Sequence, residues 1–227
     1  MKEYPHIEYW NHGVWGDEVY AFNKYDGSNI RIEWDRRTAK KSNFIGGFRK
    51  FGTRSYLIKK TSQFLGDSVD LFMDKYSDGL NELLFKDSRL RNIDQVTFFA
   101  EYYGKKSFAG FHVLDDPKDI ILFDAFLYKK GWIIPETFIE LFYDLGIPEV
   151  IYKGEYNREF ISSIKNNTTL HEGVVAKGTM VRKGQRTVWM TKVKTNVWLK
   201  RLFEMKGKTY LLREVGNDNE IIESLNN

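Results

Sequence analysis

The sequence predicts an α+β fold, with strands dominating the parts that carry its polar motifs. Two observations predict it. Short segments of alternating, or of β-branched and aromatic, residues recur along the chain. Between them lie stretches whose apolar residues repeat at helical spacing. No internal repeat, low-complexity tract or linker divides the 227 residues. One domain over 1–227 is therefore expected, with a short helical and polar tail from about 196.

The elements follow in order. Asp17 to Lys24 and Ser28 to Trp34 alternate apolar and polar residues, and read as two strands around a Tyr-Asp-Gly-Ser turn. Gly46-Gly47 reads as a hairpin turn. Thr61 to Leu90 has helical spacing and many charges, which suits one or two surface helices. Val96 to Tyr103 and Ile120 to Tyr128 read as buried strands. Pro135-Glu136-Thr137, followed by Phe138, Leu141, Phe142 and Leu145, reads as a helix closed at Gly146. Asn157 to Lys165 gives another short helix. Gly173 to Lys177 and Thr187 to Lys194 read as strands, and Asn196 to Met205 as the last helix. The polar residues after Gly216 read as a frayed tail.

Composition narrows the class. With 42% hydrophobic and 16% aromatic residues, the chain can build a substantial core. It has no apolar run long enough to span a bilayer, and its first residues lack the apolar core of a signal peptide. It contains no cysteine, which excludes disulfides, thiolate metal sites and cysteine nucleophiles, and suits the cytoplasm. No two histidines stand at metal-ligand spacing, and neither a P-loop nor a dinucleotide fingerprint is present. The net charge of +4 is uninformative, but its distribution is not. Lys40, Lys41, Arg49, Lys50, Arg54, Lys59 and Lys60 crowd an acid-free stretch, interleaved with Phe44, Phe48, Phe51 and Tyr56. Such a stretch either neutralises phosphates and stacks bases, or is a solvated loop with a few core aromatics.

The polar motifs carry candidate chemistry. Lys24, in Lys24-Tyr25-Asp26-Gly27, offers an amine beside a carboxylate and a glycine. An amine with an ordinary pKa of about 10.4 attacks phosphorus only after losing its proton, which nearby cations and desolvation favour. Read alone, Lys24 is an ordinary exposed lysine at a strand end. Gly27 permits close backbone approach to a ligand, or simply a turn. Asp26 suits orienting the lysine, holding metal-bound water, or capping the turn. Asn29 suits a bond to sugar or phosphate, or a plain strand end.

Lys192 and Lys194 stand two apart in a strand, so both point to one face, where they repel each other unless an anion lies between them. That spacing suits a polyphosphate, or else a solvated sheet edge. Glu101, within Val96 to Tyr103, and Glu172, before Gly173-Val174-Val175, are carboxylates in apolar surroundings. Such groups need a partner: a sugar hydroxyl, hydrated Mg²⁺, or a structural ion pair. Phe123 in Ile121-Leu122-Phe123-Asp124 suits purine stacking, although its spacing alone favours the core.

The order of these segments carries more than any one of them. Lys24-Tyr25-Asp26-Gly27, Arg54, Phe99 to Gly104, Glu172 to Lys177 and Lys192-Val193-Lys194 together resemble the motif series of covalent nucleotidyltransferases. That superfamily holds the ATP-dependent polynucleotide ligases and the mRNA capping enzymes. The resemblance implies a nucleotidyltransferase (ATP-grasp-like ligase) domain of antiparallel sheets flanked by helices. It implies that Lys24 is the adenylylated lysine of motif I, and that Arg54 is the motif Ia arginine that helps bind a polynucleotide 5′-phosphate, with Arg49 and Lys50 beside it. Glu101 resembles the motif III glutamate and Phe123 the aromatic that packs on adenine, with Phe126 a weaker match. Glu172 and Lys177 resemble motif IV, and Lys192 and Lys194 motif V. The implied nucleotide set is Lys24, Asp26, Gly27, Asn29, Arg54, Glu101, Phe123, Glu172, Lys177, Lys192 and Lys194. Catalysis is implied for Lys24, Glu172, Lys192 and Lys194, with ATP as substrate and Mg²⁺ (or Mn²⁺) held by Glu101, Glu172 and Asp26 through water.

Only 33 residues follow Lys194, so no C-terminal OB-fold is expected. Ser28-Asn29 after the glycine resembles the RNA ligase 2 type, whereas DNA ligases and capping enzymes usually carry arginine there. The expectation is an ATP-dependent RNA ligase of phage or bacterial type, in a bacterial or host cytoplasm and without membrane contact. RNA is the expected partner. DNA or a hybrid duplex stays open, as does a separate C-terminal domain acting in trans. The rivals are a small DNA ligase on nicks, a capping-type guanylyltransferase, and a non-catalytic RNA-binding module on the same fold.

Overall fold

The computed structural model describes residues 1–41, 46–63, 65–105 and 116–215. In chain order these form β1 (Glu8–Tyr9), β2 (Glu18–Lys24), β3 (Gly27–Asp35), α1 (Arg36–Lys41), β4 (Phe48–Gly52), β5 (Leu57–Ile58) and α2 (Asp67–Lys86). Then come β6 (Gln95–Tyr103), β7 (Asp119–Leu127), β8 (Gly131–Trp132), α3 (Pro135–Phe142), β9 (Val150–Glu155) and α4 (Arg158–Lys165). The last four are β10 (Gly173–Arg182), β11 (Gln185–Lys194), α5 (Asn196–Lys206) and α6 (Lys208–Val215). The class is α+β, as predicted: β2–β9, β2–β10, β10–β11, β3–β4, β4–β5, β6–β7 and β7–β8 pair antiparallel, and β1 lies parallel to β11.

The described residues divide into two compact units. The first unit holds Met1–Pro5, Ser28–Tyr103 and Lys118–Ile147. Its six-stranded sheet runs β5-β4-β3-β6-β7-β8. Helix α2 buries Phe72, Tyr76, Leu80 and Leu84, a stripe spaced by four residues. The Phe72 ring meets Phe48 and Phe51 at 5.8 and 6.1 Å, and the Tyr76 hydroxyl donates to the Gly146 carbonyl at 2.9 Å. A single helix thus occupies the centre of the Thr61–Leu90 stretch. Helix α3 continues through a 3₁₀ turn at Tyr143–Leu145 and stops at Gly146, whose φ of +82° suits glycine.

The second unit holds His6–Gly27, Gly104–Pro117 and Pro148–Asn227. Its five-stranded sheet runs β1-β11-β10-β2-β9. One face carries Val19, Ala21, Val174, Ala176, Trp189 and Val193, which pack with Phe160, Ile161 and Ile164 of α4. Helix α4 forms within the expected Asn157 to Lys165, and Asn157 caps it, its side chain accepting from the Phe160 N–H at 2.9 Å.

The strands on either side of the Tyr25-Asp26 turn form as predicted, and β2 and β3 enter different sheets. Two expectations need correction. Gly46-Gly47 is not a tight hairpin turn, because α1 lies in the connection between β3 and β4. Asn196 to Met205 is not the last helix. Gly207, at φ +81°, ends α5, and α6 follows it. Phe44 and the tail from Gly216 lie outside the described residues.

Candidate active site

The second unit's sheet places a set of cations on the face opposite its apolar core. Register fixes this. Lys24 of β2, Gly173 of β10 and Lys194 of β11 form one row across three strands. Phe22, Val175 and Lys192 form the next, and Tyr20, Lys177 and Met190 the one after. Cross-strand partners share a face, so Lys24, Lys194, Lys192 and Lys177 all project from one side. Glycine stands in the middle of the first row, leaving the gap between Lys24 and Lys194 unfilled. Gly173 has φ +147°, and a Cβ there would meet the backbone of Val193 and Lys194.

Glu172 fills that gap. Its Oε2 accepts from Lys24 Nζ at 2.6 Å, and its Oε1 lies 2.6 Å from Lys194 Nζ. Its backbone is tied to both flanks, since its N–H donates to the Lys24 carbonyl at 3.2 Å and its carbonyl accepts from Thr195 at 3.1 Å. Glu172 is only 3% exposed. Burial alone would raise its carboxyl, but Lys194 and Lys24 outweigh burial and hold it below the ordinary carboxylate range.

A second carboxylate continues the chain of charge. Glu214 Oε2 lies 2.6 Å from Lys194 Nζ and 3.2 Å from Lys192 Nζ. Burial opposes its ionisation, yet Lys194 and then Lys192 bring its carboxyl down to about 2. Desolvation, and then repulsion by Lys194, lowers Lys192 from the usual lysine value. Lys194 Nζ also sits 3.8 Å from the centroid of the Trp198 ring, a cation–π contact. Lys177 is buried, with its ammonium 5.1 Å from the Phe22 ring centroid. Asp26 is buried in the turn after Lys24, where the Tyr25 ring lies 5.1 Å from that of His171 at a tilt of 32°.

The first unit carries the other sequence candidates. Asn29 is half-buried on β3, and its Oδ1 finds no hydrogen-bond partner among the described residues. Arg54 is exposed between β4 and β5, in a loop gripped by buried Arg31, whose Nε donates to Thr53 O at 2.7 Å and Nη2 to Arg54 O at 3.0 Å. Arg49 and Lys50 both reach buried Glu33, at 2.9 and 3.1 Å, so part of the basic stretch neutralises a structural carboxylate. Glu101 is half-buried on β6, rather than sealed in the core. Phe123 is also half-buried. It is the extra residue of a bulge between the Ala100–Leu122 and Phe99–Asp124 pairs, and bulges re-aim side chains. Its ring meets Tyr4 edge-on at 5.1 Å.

No group of three His, Cys, Asp or Glu residues forms a metal cage among the described residues. The donors suit a hydrated hard cation that touches one or two carboxylates, with Glu172 the carboxylate beside Lys24. Among the described residues, no helix is long and apolar enough to cross a membrane.

Comparisons with known proteins bear on the family and the fold. A family model described as RNA ligase matches residues 17–200. The chain belongs to the RNA ligase family. Among solved structures, this RNA ligase family member is similar to a Naegleria gruberi RNA ligase, a lysine-to-alanine mutant with ATP and Mn. The TM-score is 0.62 at 15% identity, covering 90% of this chain and 58% of that one. A glutamate-to-alanine mutant of the same ligase with AMP and Mn gives 0.62 at 13% identity, covering 92% and 59%. An archaeal ATP-dependent RNA ligase gives 0.54 at 15%, covering 100% and 62%. The chain thus spans about three fifths of the length of these structures. No curated protein matches its sequence.

Sequence reasoning missed three features of this family member. Glu214 lies in α6, within a stretch to which no element was assigned. Arg31 reads as an ordinary strand residue, yet holds the Arg54 loop. The third is the outer end of the β10–β11 hairpin. β2 pairs with β10 only as far as Gly178, so Thr179 to Val188 run as a two-stranded ribbon. Its turn, Lys183-Gly184, has both φ values positive, as a two-residue hairpin requires. Arg182, Lys183 and Arg186 are exposed there, and Gly173 to Lys194 contains no acid. An acid-free hairpin is the signal that could have found it.

Proposed function

We propose that this chain is the nucleotidyltransferase domain of an ATP-dependent RNA ligase. It joins 5′-phosphate to 3′-hydroxyl ends through a lysine–AMP and an adenylylated-end intermediate. The observation that carries the reading is Glu172, which holds Lys24 and Lys194 within 2.6 Å of one buried carboxylate. A lone lysine on a strand end explains nothing. A lysine oriented by a buried carboxylate, on a face that carries three more lysines, suits attack on a polyphosphate.

In the first step the Lys24 amine forms a bond to the α-phosphorus of ATP, and the bond to pyrophosphate breaks. Glu172 orients the amine. Its carboxyl is held low, so it is a poor proton acceptor, and the proton of Lys24 leaves to another base. Lys192 and Lys194 stabilise the charge that develops on the phosphate oxygens, and Lys177 adds a buried cation to the same face. Mg²⁺ or Mn²⁺ would be held through water by Glu172, with Asp26 as a further candidate, and would supply Lewis-acid charge neutralisation. In the second step AMP passes to a 5′-phosphate. In the third, a 3′-hydroxyl attacks that end and AMP leaves. Asn29, Arg54 and Phe123 keep the roles that the motif resemblance implies. The exposed basic ribbon supports a polynucleotide partner, because Arg182 and Lys183 stand exposed at its turn and offer phosphate contacts.

The test is incubation with Mg²⁺ and α-labelled ATP or GTP, then denaturing electrophoresis, on wild type and Lys24→Ala. ATP label that survives denaturation and vanishes in Lys24→Ala is the expected result. Label from GTP would move the reading to capping. No label from either, on protein shown by intact mass to be unmodified, would leave a binding module. Ligation of matched RNA, DNA and hybrid ends then decides the substrate, with RNA expected.

A further inference from the structure

We propose that Glu214 is an internal anion seated in the phosphate subsite of Lys192 and Lys194, and that nucleotide must displace it to bind. The proposal rests on the nucleotidyltransferase reading and on counting donors. An ammonium has three N–H groups. Those of Lys194 face Glu172 Oε1 at 2.6 Å, Glu214 Oε2 at 2.6 Å and the Trp198 ring, whose centroid is 3.8 Å away. A phosphate oxygen therefore gains Lys194 only if one carboxylate leaves.

Glu172 is the worse candidate to leave. It is 3% exposed, both its oxygens are engaged, and its backbone is bonded to Lys24 and Thr195. The Glu214 side chain is 27% exposed, and one of its oxygens serves both lysines. A single oxygen between two ammonium groups is the placement a non-bridging phosphate oxygen would take. Departure needs only the side chain to swing outward. Helix α6 stays seated through Leu211 and Val215, which pack with Tyr9, Trp198, Leu199 and Leu202. Glu214 thus neutralises the lysine pair in the free protein and sets a threshold for polyphosphate entry.

The experiment measures binding of tripolyphosphate by calorimetry, and the ATP concentration for half-maximal self-adenylylation, on wild type and Glu214→Gln. Glu214→Gln keeps the shape and removes the competing charge. It is expected to bind tripolyphosphate on the order of tenfold more tightly and to need correspondingly less ATP. Equal or weaker tripolyphosphate binding by folded Glu214→Gln overturns the proposal and makes Glu214 a positioning residue for the lysines. If Glu214→Gln does not fold, Glu214→Asp is the second variant. Its shorter reach should also tighten binding, by less, and unchanged affinity overturns the proposal equally. Failure of the parent reading looks different, with no label in any variant whatever tripolyphosphate does.

Discussion

Replacing Glu172 with glutamine should cost more stability than almost any other single polar change in the second unit. The substitution keeps the side chain's size and removes the charge between Lys24 and Lys194, each 2.6 Å away. Charge-assisted hydrogen bonds contribute about 1.5–3 kcal/mol each, and stripping a buried pair of one partner costs about 3–5 kcal/mol. Two features reduce the loss here. Lys194 retains Glu214, and the Lys24 side chain is 24% exposed, so water screens part of its charge. About 3 kcal/mol is expected, which for a chain of this size lowers the midpoint of thermal unfolding by roughly 6–12 °C.

Differential scanning fluorimetry and urea titration of nucleotide-free protein measure the effect. A Glu172→Gln midpoint within about 1 °C of wild type would refute the reasoning. A double variant sharpens the test. Adding Lys194→Met removes one of the two ammonium groups left facing the neutral glutamine, so the pair should recover part of the loss, and strict additivity would show that the two groups are not coupled. The pH profile supplies the sign. The folded carboxyl of Glu172 lies below its ordinary value, so its contribution is full above the unfolded pKa, about 4.3. It fades as pH falls through the lower folded value. Wild type should lose stability below about pH 4 more steeply than Glu172→Gln.

Two further outcomes follow from the same geometry. Gly173→Ala forces a Cβ onto a backbone at φ +147° and 2.8 Å from Lys194 Cα. It should cost at least about 2 kcal/mol in urea unfolding and abolish ATP labelling, and near-normal labelling would contradict the register that brings Lys24 and Lys194 together. Replacing Arg182 and Lys183 of the ribbon with alanine should weaken single-stranded RNA binding. It should also flatten the salt dependence of the logarithm of affinity by about 0.7 per lost phosphate contact, and an unchanged slope in filter binding would remove the ribbon from the interface.

The sequence was legible where one residue determines its own surroundings. Asn157 caps a helix and Gly146 ends one through local chemistry, so both could be read from the chain alone. The paired spacing of Lys192 and Lys194 was readable because strand periodicity puts alternate residues on one face. What closes the lysine cluster was not readable. Glu214 is 20 residues from Lys194 along the chain and reaches it through a helix whose apolar residues are too few to stand out. Lys24 and Glu172 are 148 residues apart, and nothing local to either says that β2 and β10 pair. Arg49 and Lys50 show what a charge count leaves out. A basic cluster suggests a phosphate site, and both residues also reach Glu33, a carboxylate that the count could not locate.

The charge arrangement explains how one face can hold so many lysines. Four lysines on one side of a small sheet would repel one another, and burial makes that worse by removing the water that screens them. The sheet resolves the conflict by alternation: Lys24, Glu172, Lys194, Glu214 and Lys192 form a line in which each cation touches an anion. Such a line is nearly neutral at rest, and becomes strongly cationic only when a carboxylate is drawn off. The two carboxylates therefore have different consequences when removed. Loss of Glu172 strands a lysine pair at the middle of three strands and should unfold first. Loss of Glu214 opens the outer pair to solvent and to phosphate and should unfold little. Stability measurements on Glu172→Gln and Glu214→Gln side by side would establish that difference, and equal losses would show that the line is structural along its whole length.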